Sequence, residues 1–362
     1  MSAPFLLMAG GTGGHVFPAL AVAAELQARG RQVHWLGSRH GMENRLVPAA
    51  GYPFSPIRVR GLRGRGRLSL LAAPGRLSVA LAEALAVVGR VRPAAVLGMG
   101  GFAAGPGAVA ARLLGRPLVV HEQNAVAGMT NRWCARLADR VLAAFPGAFG
   151  SEITCTIVGN PVRREIAALA PPEVRFAERS GSLRLLVLGG SQGAAALNER
   201  VPAALARLRA AGAPDVVVRH QAGGGQLEPA RAAYRQAQLP FEPEPFIEDM
   251  AAAYGWADLV ICRSGALTVA ELAAAGVGAL MVPFPHAVDD HQTRNAAYLA
   301  EAGAGRILPQ AELDAERLAA ELAPLLADRA ALTAMAVAAR RQAHPQATTA
   351  VADALLAMEA GR

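Results

Sequence analysis

Residues 5–15 read FLLMAGGTGGH: an apolar run from Phe5 to Met8, then Gly10, Gly11, Gly13 and Gly14, then His15. The run predicts a buried strand, and the pattern beyond it predicts a helix from about Pro18 to Ala28 that stops at Gly30. A second strand, Gln32 to Leu36, completes a βαβ unit. The plan restarts at Leu183, where the strand Leu183–Leu188 runs into Gly189, Gly190, Ser191, Gln192 and Gly193, a helix over 195–210, and a strand over Asp215–Arg219. Each half then repeats a second pattern. Ala95–Leu97 leads into Gly98, Gly100, Gly101 and Phe102, a helix, and the strand Leu118–His121. Leu259–Cys262 leads into Arg263, Ser264 and Gly265, a helix, and the strand Ala279–Val282.

Strands alternating with helices imply the α/β class, with parallel sheets covered on both faces. Two such runs imply two Rossmann-like doubly wound domains, and 362 residues exceed what one core normally serves. Gly159–Asn160–Pro161 marks the seam, giving domains 1–160 and 161–345. The closing helix, within 346–362, either completes the second half or packs back on the first. Ligands of such sheets bind beyond the carboxyl ends of the strands, where all four loops lie, so a cleft between the halves is the expected site.

Composition removes several chemistries. The chain has net charge +8 and no lysine, so all 36 basic residues are arginine. A Walker A loop and a pyridoxal phosphate Schiff base both need lysine. Cys134, Cys155 and Cys262 are far apart and form no metal pattern, which fits reduced thiols. The N-terminus lacks a signal-peptide pattern, and no run of about eighteen apolar residues suggests a membrane span.

The loop at 10–14 is suited to phosphate, because glycine lets the backbone approach an anion and a helix N-terminus offers unpaired N–H groups. A tight packing turn is the plainer reading. The second strand ends Leu36-Gly37-Ser38-Arg39, with no acid for a ribose hydroxyl, which counts against an NAD dehydrogenase and leaves NADP as a weak rival. A second loop of the same kind, with the Ser191 hydroxyl, suits a reaction in which donor and acceptor both carry diphosphate.

The motifs GGTGGHVFP (10–18), GMGG (98–101), HEQN (121–124), GNPVR (159–163), GGSQGA (189–194) and CRSGALTVAE (262–271) occur in an order and spacing that closely resembles the MurG family, bacterial N-acetylglucosaminyltransferases of peptidoglycan synthesis. The likeness spans about residues 5–300. It implies a GT-B fold and inverting transfer of N-acetylglucosamine from UDP-N-acetylglucosamine to the C4 hydroxyl of undecaprenyl-diphosphate-N-acetylmuramoyl-pentapeptide, lipid I, with no cofactor. It places UDP-sugar contacts at Ser191, Arg163, Ile247, Ala266, Leu267, Thr268, Val269, Ala270, Glu271 and Gln292, with Glu271 on the ribose. Thr12, Gly13, Gly14 and Asn124 face the sugar and acceptor. Two departures stand out: Phe102 replaces a frequent tyrosine, and the stretch 285–292 is one residue longer. The rivals are another GT-B enzyme (a 2-epimerase or natural-product glycosyltransferase) and a non-catalytic sugar-nucleotide-binding subunit.

The chemistry reaches compatible conclusions. A departing diphosphate needs its growing charge stabilised. With no DxD motif in the sequence, a helix N-terminus and Arg163 are the expected means, without a metal. Deprotonating the acceptor needs a general base. His15 leads, and His121 and Glu122 compete; capping or loop support is the plain alternative for all three. Arg58, Arg60, Arg63, Arg65, Arg67 and Arg76, interleaved with Leu62, Leu68, Leu70 and Leu71, suit an anionic lipid surface; the resemblance, with its membrane-linked acceptor, implies that this is the cytoplasmic face of the inner membrane. A solvated loop is the bland reading, and nucleic acid is disfavoured because no aromatic residues interleave.

Overall fold

The computed structural model describes residues 3–59, 73–190 and 193–360. The arginine-rich stretch from Arg60 to Leu71, including Leu62, Arg63, Arg65, Arg67 and Leu68, lies outside the described residues, as does Ser191. The chain forms two compact units, Met1–Arg163 with His344–Arg362, and Arg164–Ala343.

The first unit holds β1 (Phe5–Met8), β2 (Val33–Ser38), β3 (Phe54–Ile57), β4 (Val96–Gly98), β5 (Leu118–Glu122), β6 (Arg140–Ala143) and β7 (Thr156–Ile157). They form one parallel sheet in the order β3-β2-β1-β4-β5-β6-β7. Alternate side chains of β1 enter different cores, as the period of a strand requires. Phe5 and Leu7 pack with Val22, Leu26, Val351 and Leu355, while Leu6 and Met8 pack with Ala84, Val88, Ala104 and Ala108. Both faces are therefore buried, which explains why β1 is apolar throughout.

The closing helix Ala347–Ala360 belongs to this first unit, with Val351, Ala352 and Leu355 fully buried. Arg29 pairs with Asp353, and Arg31 with Glu359, fixing the helix against Gly13–Ala28.

The second unit holds β8 (Leu183–Leu188), β9 (Val216–Gln221), β10 (Leu259–Cys262), β11 (Gly278–Met281) and β12 (Gly305–Ile307), ordered β12-β11-β10-β8-β9 and again parallel. In each sheet the winding direction reverses beside the unit's first strand, between β1 and β4 and between β8 and β10. Those four strands are the ones that run into the glycine-rich loops. Parallel registers such as Met8 with Gly98 and Leu188 with Cys262 bring each pair of loops out together. A crevice at such a switch point is the usual ligand position of a doubly wound sheet.

The first helix departs from expectation. It starts at Gly13, five residues before Pro18, so Gly13 and Gly14 form its first turn and Thr12 is its extended N-cap. First-turn N–H groups have no intrahelical acceptor, so the loop glycines are themselves the helix's donors.

Among the described residues no single helix is long and apolar enough to cross a membrane. The helices Ala315–Ala327 and Arg329–Arg341 reach that length only together, are bent by 96°, and bury Leu318, Leu322 and Leu332 in the second unit's core.

Candidate functional site: two glycine-loop half-sites

In the first unit the 10–14 loop rests on a carboxylate. Glu43 is fully buried and accepts from the Gly11 N–H at 3.0 Å, the Ser38 N–H at 2.9 Å and the Ser38 hydroxyl at 2.6 Å. Three glycines make room for it. A Cβ on Gly10, Gly37 or Gly41 would lie 2.4, 2.7 or 1.9 Å from the Glu43 side chain. The loop is thus held open from below, with Gly11 at φ +90° and both Gly11 and Thr12 exposed.

His15 follows on the helix, half-buried, with Nδ1 2.8 Å from Gln123 Oε1. The second loop packs against its ring: a Cβ on Gly100 would stand 2.9 Å from His15 Nδ1 and Cε1. Gly101 runs equally close to the first loop, where a Cβ would lie 2.4 Å from the Gly10 carbonyl oxygen. Both glycines have positive φ, +91° and +84°, so no side chain is accommodated on either ground. Phe102 beyond them is exposed.

The two competing bases are placed for support rather than for proton transfer to a substrate. His121 is fully buried with Nε2 2.9 Å from the Gly159 carbonyl, and desolvation lowers its pKa to about 4. Glu122 is buried too. Its Oε1 accepts from the Asn124 N–H at 2.8 Å and Asn124 Nδ2 at 3.1 Å; its Oε2 accepts from the Gly128 N–H at 3.2 Å and Asn131 Nδ2 at 2.8 Å. Four donors bind it into the loop after β5. That leaves His15 as the partly exposed imidazole beside the loop, joined to HEQN through Gln123.

Arg163 ends the Met1–Arg163 segment of the first unit, three residues beyond the seam at residue 160 that the sequence suggests. Its guanidinium lies over the Phe17 ring at 5.8 Å, which ties it to the His15 helix.

In the second unit the described glycines after β8 are fixed by their backbone. The Gly193 N–H donates to the Gly190 carbonyl at 3.0 Å, with φ +79° at Gly190 and +78° at Gly193. A Cβ at Gly193 would stand 2.3 Å from the Ala222 carbonyl oxygen, so close backbone packing requires glycine. Beneath the loop, Asn198 Nδ2 donates to Ala222 O, His220 Nε2 lies 3.0 Å from Asn198 Oδ1, and His220 Nδ1 lies 2.9 Å from the Tyr234 hydroxyl. Burial lowers the His220 pKa to about 4 and pushes the Tyr234 hydroxyl up.

The partner loop after β10 opens the helix Ala266–Ala275, with Gly265 as an extended N-cap. The Val269 N–H already donates to the Gly265 carbonyl at 3.0 Å, and its side chain is fully buried. The first-turn amides left without an intrahelical acceptor are therefore those of Ala266, Leu267 and Thr268; the Val269 side chain is in the core, and Ala270 follows it on the helix. Glu271 is buried and accepts from the Tyr254 hydroxyl at 3.2 Å. Gln292 Oε1 accepts the Phe284 N–H at 2.9 Å, which orients its amide. The preceding Asp289 and Asp290 are left-handed, at φ +55° and +50°, in the stretch that sequence reading found one residue long. Ile247 has its side chain buried, so a ligand would meet its main chain. Among the described residues no group of three or more His, Cys, Asp or Glu is placed to hold a metal.

Sequence reasoning assigned no role to Glu43, Gln123, Asn131, Asn198 or Tyr254. For Glu43 the available signal was the pair of glycines shortly before it, at 37 and 41; for Gln123 it was its place inside HEQN.

The two buried histidines carry a pH prediction. Each has its folded pKa depressed from 6.5 to about 4, so the unfolded chain binds more protons between those values. Stability from each is complete above pH 6.5 and lost as pH falls toward 4, about 2 kcal/mol apiece by pH 5. Urea midpoints of both units should fall between pH 7.5 and pH 5; midpoints that stay level would contradict the neutral, buried assignment.

Two parallel doubly wound units with paired glycine loops at their switch points form the GT-B architecture of a two-domain glycosyltransferase. The chain belongs to glycosyltransferase family 28: residues 5–143 match its N-terminal domain and residues 184–351 its C-terminal domain. It is 60% identical over 352 residues to a protein of Alkalilimnicola ehrlichii, covering 97% of this chain and 98% of that one. A Marinobacter nauticus protein is 57% identical, covering 96% of each. Both relatives are named UDP-N-acetylglucosamine–N-acetylmuramyl-(pentapeptide) pyrophosphoryl-undecaprenol N-acetylglucosamine transferase. The crystal structure of Acinetobacter baumannii MurG superposes with a TM-score of 0.84 at 45% identity, covering 98% of this chain and all of that one. The family resemblance read from the motifs is borne out. The glycosyltransferase of kitacinnamycin, at 19% identity and a TM-score of 0.70, shares the fold alone.

Proposed function

We propose that this chain transfers N-acetylglucosamine from UDP-N-acetylglucosamine to the C4 hydroxyl of lipid I, inverting the anomeric carbon and giving lipid II. The observation that carries this reading is near-full-length identity of 57–60% to relatives named for that transfer, together with the motif residues standing at both switch points. The second unit holds UDP: the Ala266–Thr268 amides and the Ser191 loop meet the diphosphate, Ile247 the uracil edge and Glu271 the ribose. Arg163 neutralises phosphate charge. Gln292 meets sugar hydroxyls through its NH2, because its oxygen is taken by Phe284. Thr12, Gly13, Gly14 and Asn124 serve the sugar and acceptor, and His15 takes the acceptor proton. Purified protein given UDP-N-acetylglucosamine and a lipid I analogue should release UDP one for one with a product heavier by one N-acetylhexosamine. Release of free sugar, or no turnover, would overturn the reading.

Glu271 gives a second measurement. Its Ala variant should bind UDP roughly 10–150-fold more weakly by calorimetry, the equivalent of losing charged hydrogen bonds worth about 1.5–3 kcal/mol. Unchanged affinity would remove Glu271 from the ribose site.

A lipid-linked acceptor places the enzyme on the cytoplasmic face of the membrane, held by an apolar and cationic surface. Besides the stretch Arg60–Leu71, three neighbouring helices of the first unit, Ala73–Val91, Ala104–Leu113 and Met129–Ala135, expose Leu77, Val79, Leu113, Met129 and Trp133 beside the exposed Arg112, Arg132 and Arg136. The Arg136 guanidinium sits 5.1 Å from the Trp133 ring centroid. Trp133→Glu should reduce co-sedimentation with anionic vesicles roughly tenfold at low salt; equal sedimentation would reject that surface.

A further inference from the structure

Four residues of the first unit, His15, Gln123, His121 and Gly159, form one chain of polar contacts, and main-chain carbonyls fix its direction. The Gly159 carbonyl lies 2.9 Å from His121 Nε2 and can only accept, so Nε2 carries the proton. His121 is neutral in its buried setting, with a pKa near 4, so Nδ1 holds a lone pair. Gln123 Nε2 stands 3.2 Å from that lone pair and 3.1 Å from the His121 carbonyl oxygen. Both are acceptors, so the amide has its NH2 toward His121 and its oxygen toward His15. That oxygen, 2.8 Å from His15 Nδ1, also only accepts. The proton of a neutral His15 therefore sits on Nδ1 and its lone pair on Nε2. Imidazole side chains free in water favour the opposite tautomer.

The chain is held at each end. Gly100 presses on the His15 ring, as its 2.9 Å virtual Cβ contact shows. Gly159, at φ +82°, abuts His344, where a Cβ would fall 2.1 Å from the histidine's own Cβ. The anchoring carbonyl is thus braced by the segment leading into the closing helix. Asn131 Nδ2 spans the same region, donating to the His121 carbonyl at 3.2 Å and to Glu122 at 2.8 Å.

From this geometry we infer that Gln123 and His121 are positioning residues that hold His15 as its Nδ1–H tautomer and so present Nε2 as the proton acceptor in sugar transfer. Only the last step of that inference rests on the transferase reading. In transfer, the acceptor O–H gives its proton to Nε2 as its oxygen bonds to the anomeric carbon. The electron pair of the broken bond leaves with UDP. The Nδ1–H keeps its bond to Gln123 Oε1 before and after, so the ring need not turn, and the amide oxygen steadies the imidazolium.

The test is the tautomer itself, read by long-range proton–nitrogen correlation on full-length protein with ring-15N histidine at mildly alkaline pH. His15 is assigned by comparison with His15→Gln. The wild type should show pyrrole-type Nδ1 and pyridine-type Nε2 at His15. Gln123→Met, which keeps bulk but loses the acceptor, should shift His15 toward Nε2–H. It should also lower kcat by roughly one to two orders of magnitude with KM for UDP-N-acetylglucosamine unchanged. An Nε2–H form at His15 in the wild type overturns the inference whether or not the variant folds. So does an Nδ1–H form that persists in Gln123→Met. If the tautomers are as expected but the wild type makes no disaccharide, the positioning stands and the transferase reading fails.

Discussion

His15→Ala should lower kcat for sugar transfer by about two to four orders of magnitude, the range a positioned general base supplies, while UDP affinity stays within about twofold. The separation follows from placement. His15 lies in the first unit, beside the 10–14 loop and far in sequence from the second unit's motifs, to which UDP binding is assigned in the proposed function. Its ring is half-buried and hydrogen-bonds one side chain, Gln123, so the variant should unfold close to the wild-type denaturant midpoint. Steady-state kinetics, calorimetry of UDP binding and urea unfolding together check all three statements. A rate within tenfold of wild type would mean that another group takes the proton, or that solvent does.

The second large effect is on folding. Glu122→Ala removes a buried carboxylate that accepts four hydrogen bonds and leaves the Asn124 and Gly128 amides and the Asn131 side chain without it. Asn131 is buried while Asn124 and Gly128 reach solvent, so stripping these donors of a charged acceptor costs about 2–3 kcal/mol. The first unit should lose that much in urea unfolding, with the second unit's transition unmoved. Residual activity should track the folded fraction. Glu122→Gln keeps one acceptor oxygen and should fall between. A Glu122→Ala protein with full stability and no turnover would return Glu122 to the catalytic machinery, where sequence reasoning had placed it as a rival to His15.

The fold was legible because its signals are local. Phe5–Met8 is an unbroken apolar run and Leu183–Leu188 is interrupted only by Arg184, as suits strands buried on both faces, and glycine marks their ends. The start of the first helix was less legible. Pro18 suits a first turn, yet the helix begins on Gly13, since nothing in the side chains of Gly13 and Gly14 announces that their amides are its first donors. The destination of the closing helix was not legible either. It is set by Val351 and Leu355 meeting Phe5 and Leu7, and by Asp353 and Glu359 meeting Arg29 and Arg31, more than three hundred residues away.

The site divides the same way. Glycines, His15 and Glu271 stand in motifs and were found there. Glu43 was missed because its partners, Gly11 and Ser38, end different strands and meet only through the pairing of β1 with β2. The choice among His15, His121 and Glu122 needed burial and partners, not residue type. All three can move protons in principle, but two are sealed into hydrogen bonds that hold their own loop.

The proposed reaction is a single displacement at the anomeric carbon, driven by a base on the acceptor side. Its most direct test is the linkage in the product made by purified protein from UDP-N-acetylglucosamine and a lipid I analogue, read by proton NMR. The donor sugar is α-linked to UDP, so one displacement predicts a β linkage to the C4 hydroxyl of the acceptor sugar. An α-linked disaccharide would contradict the account, because retention requires a second displacement or front-face attack and leaves His15 without the role given to it.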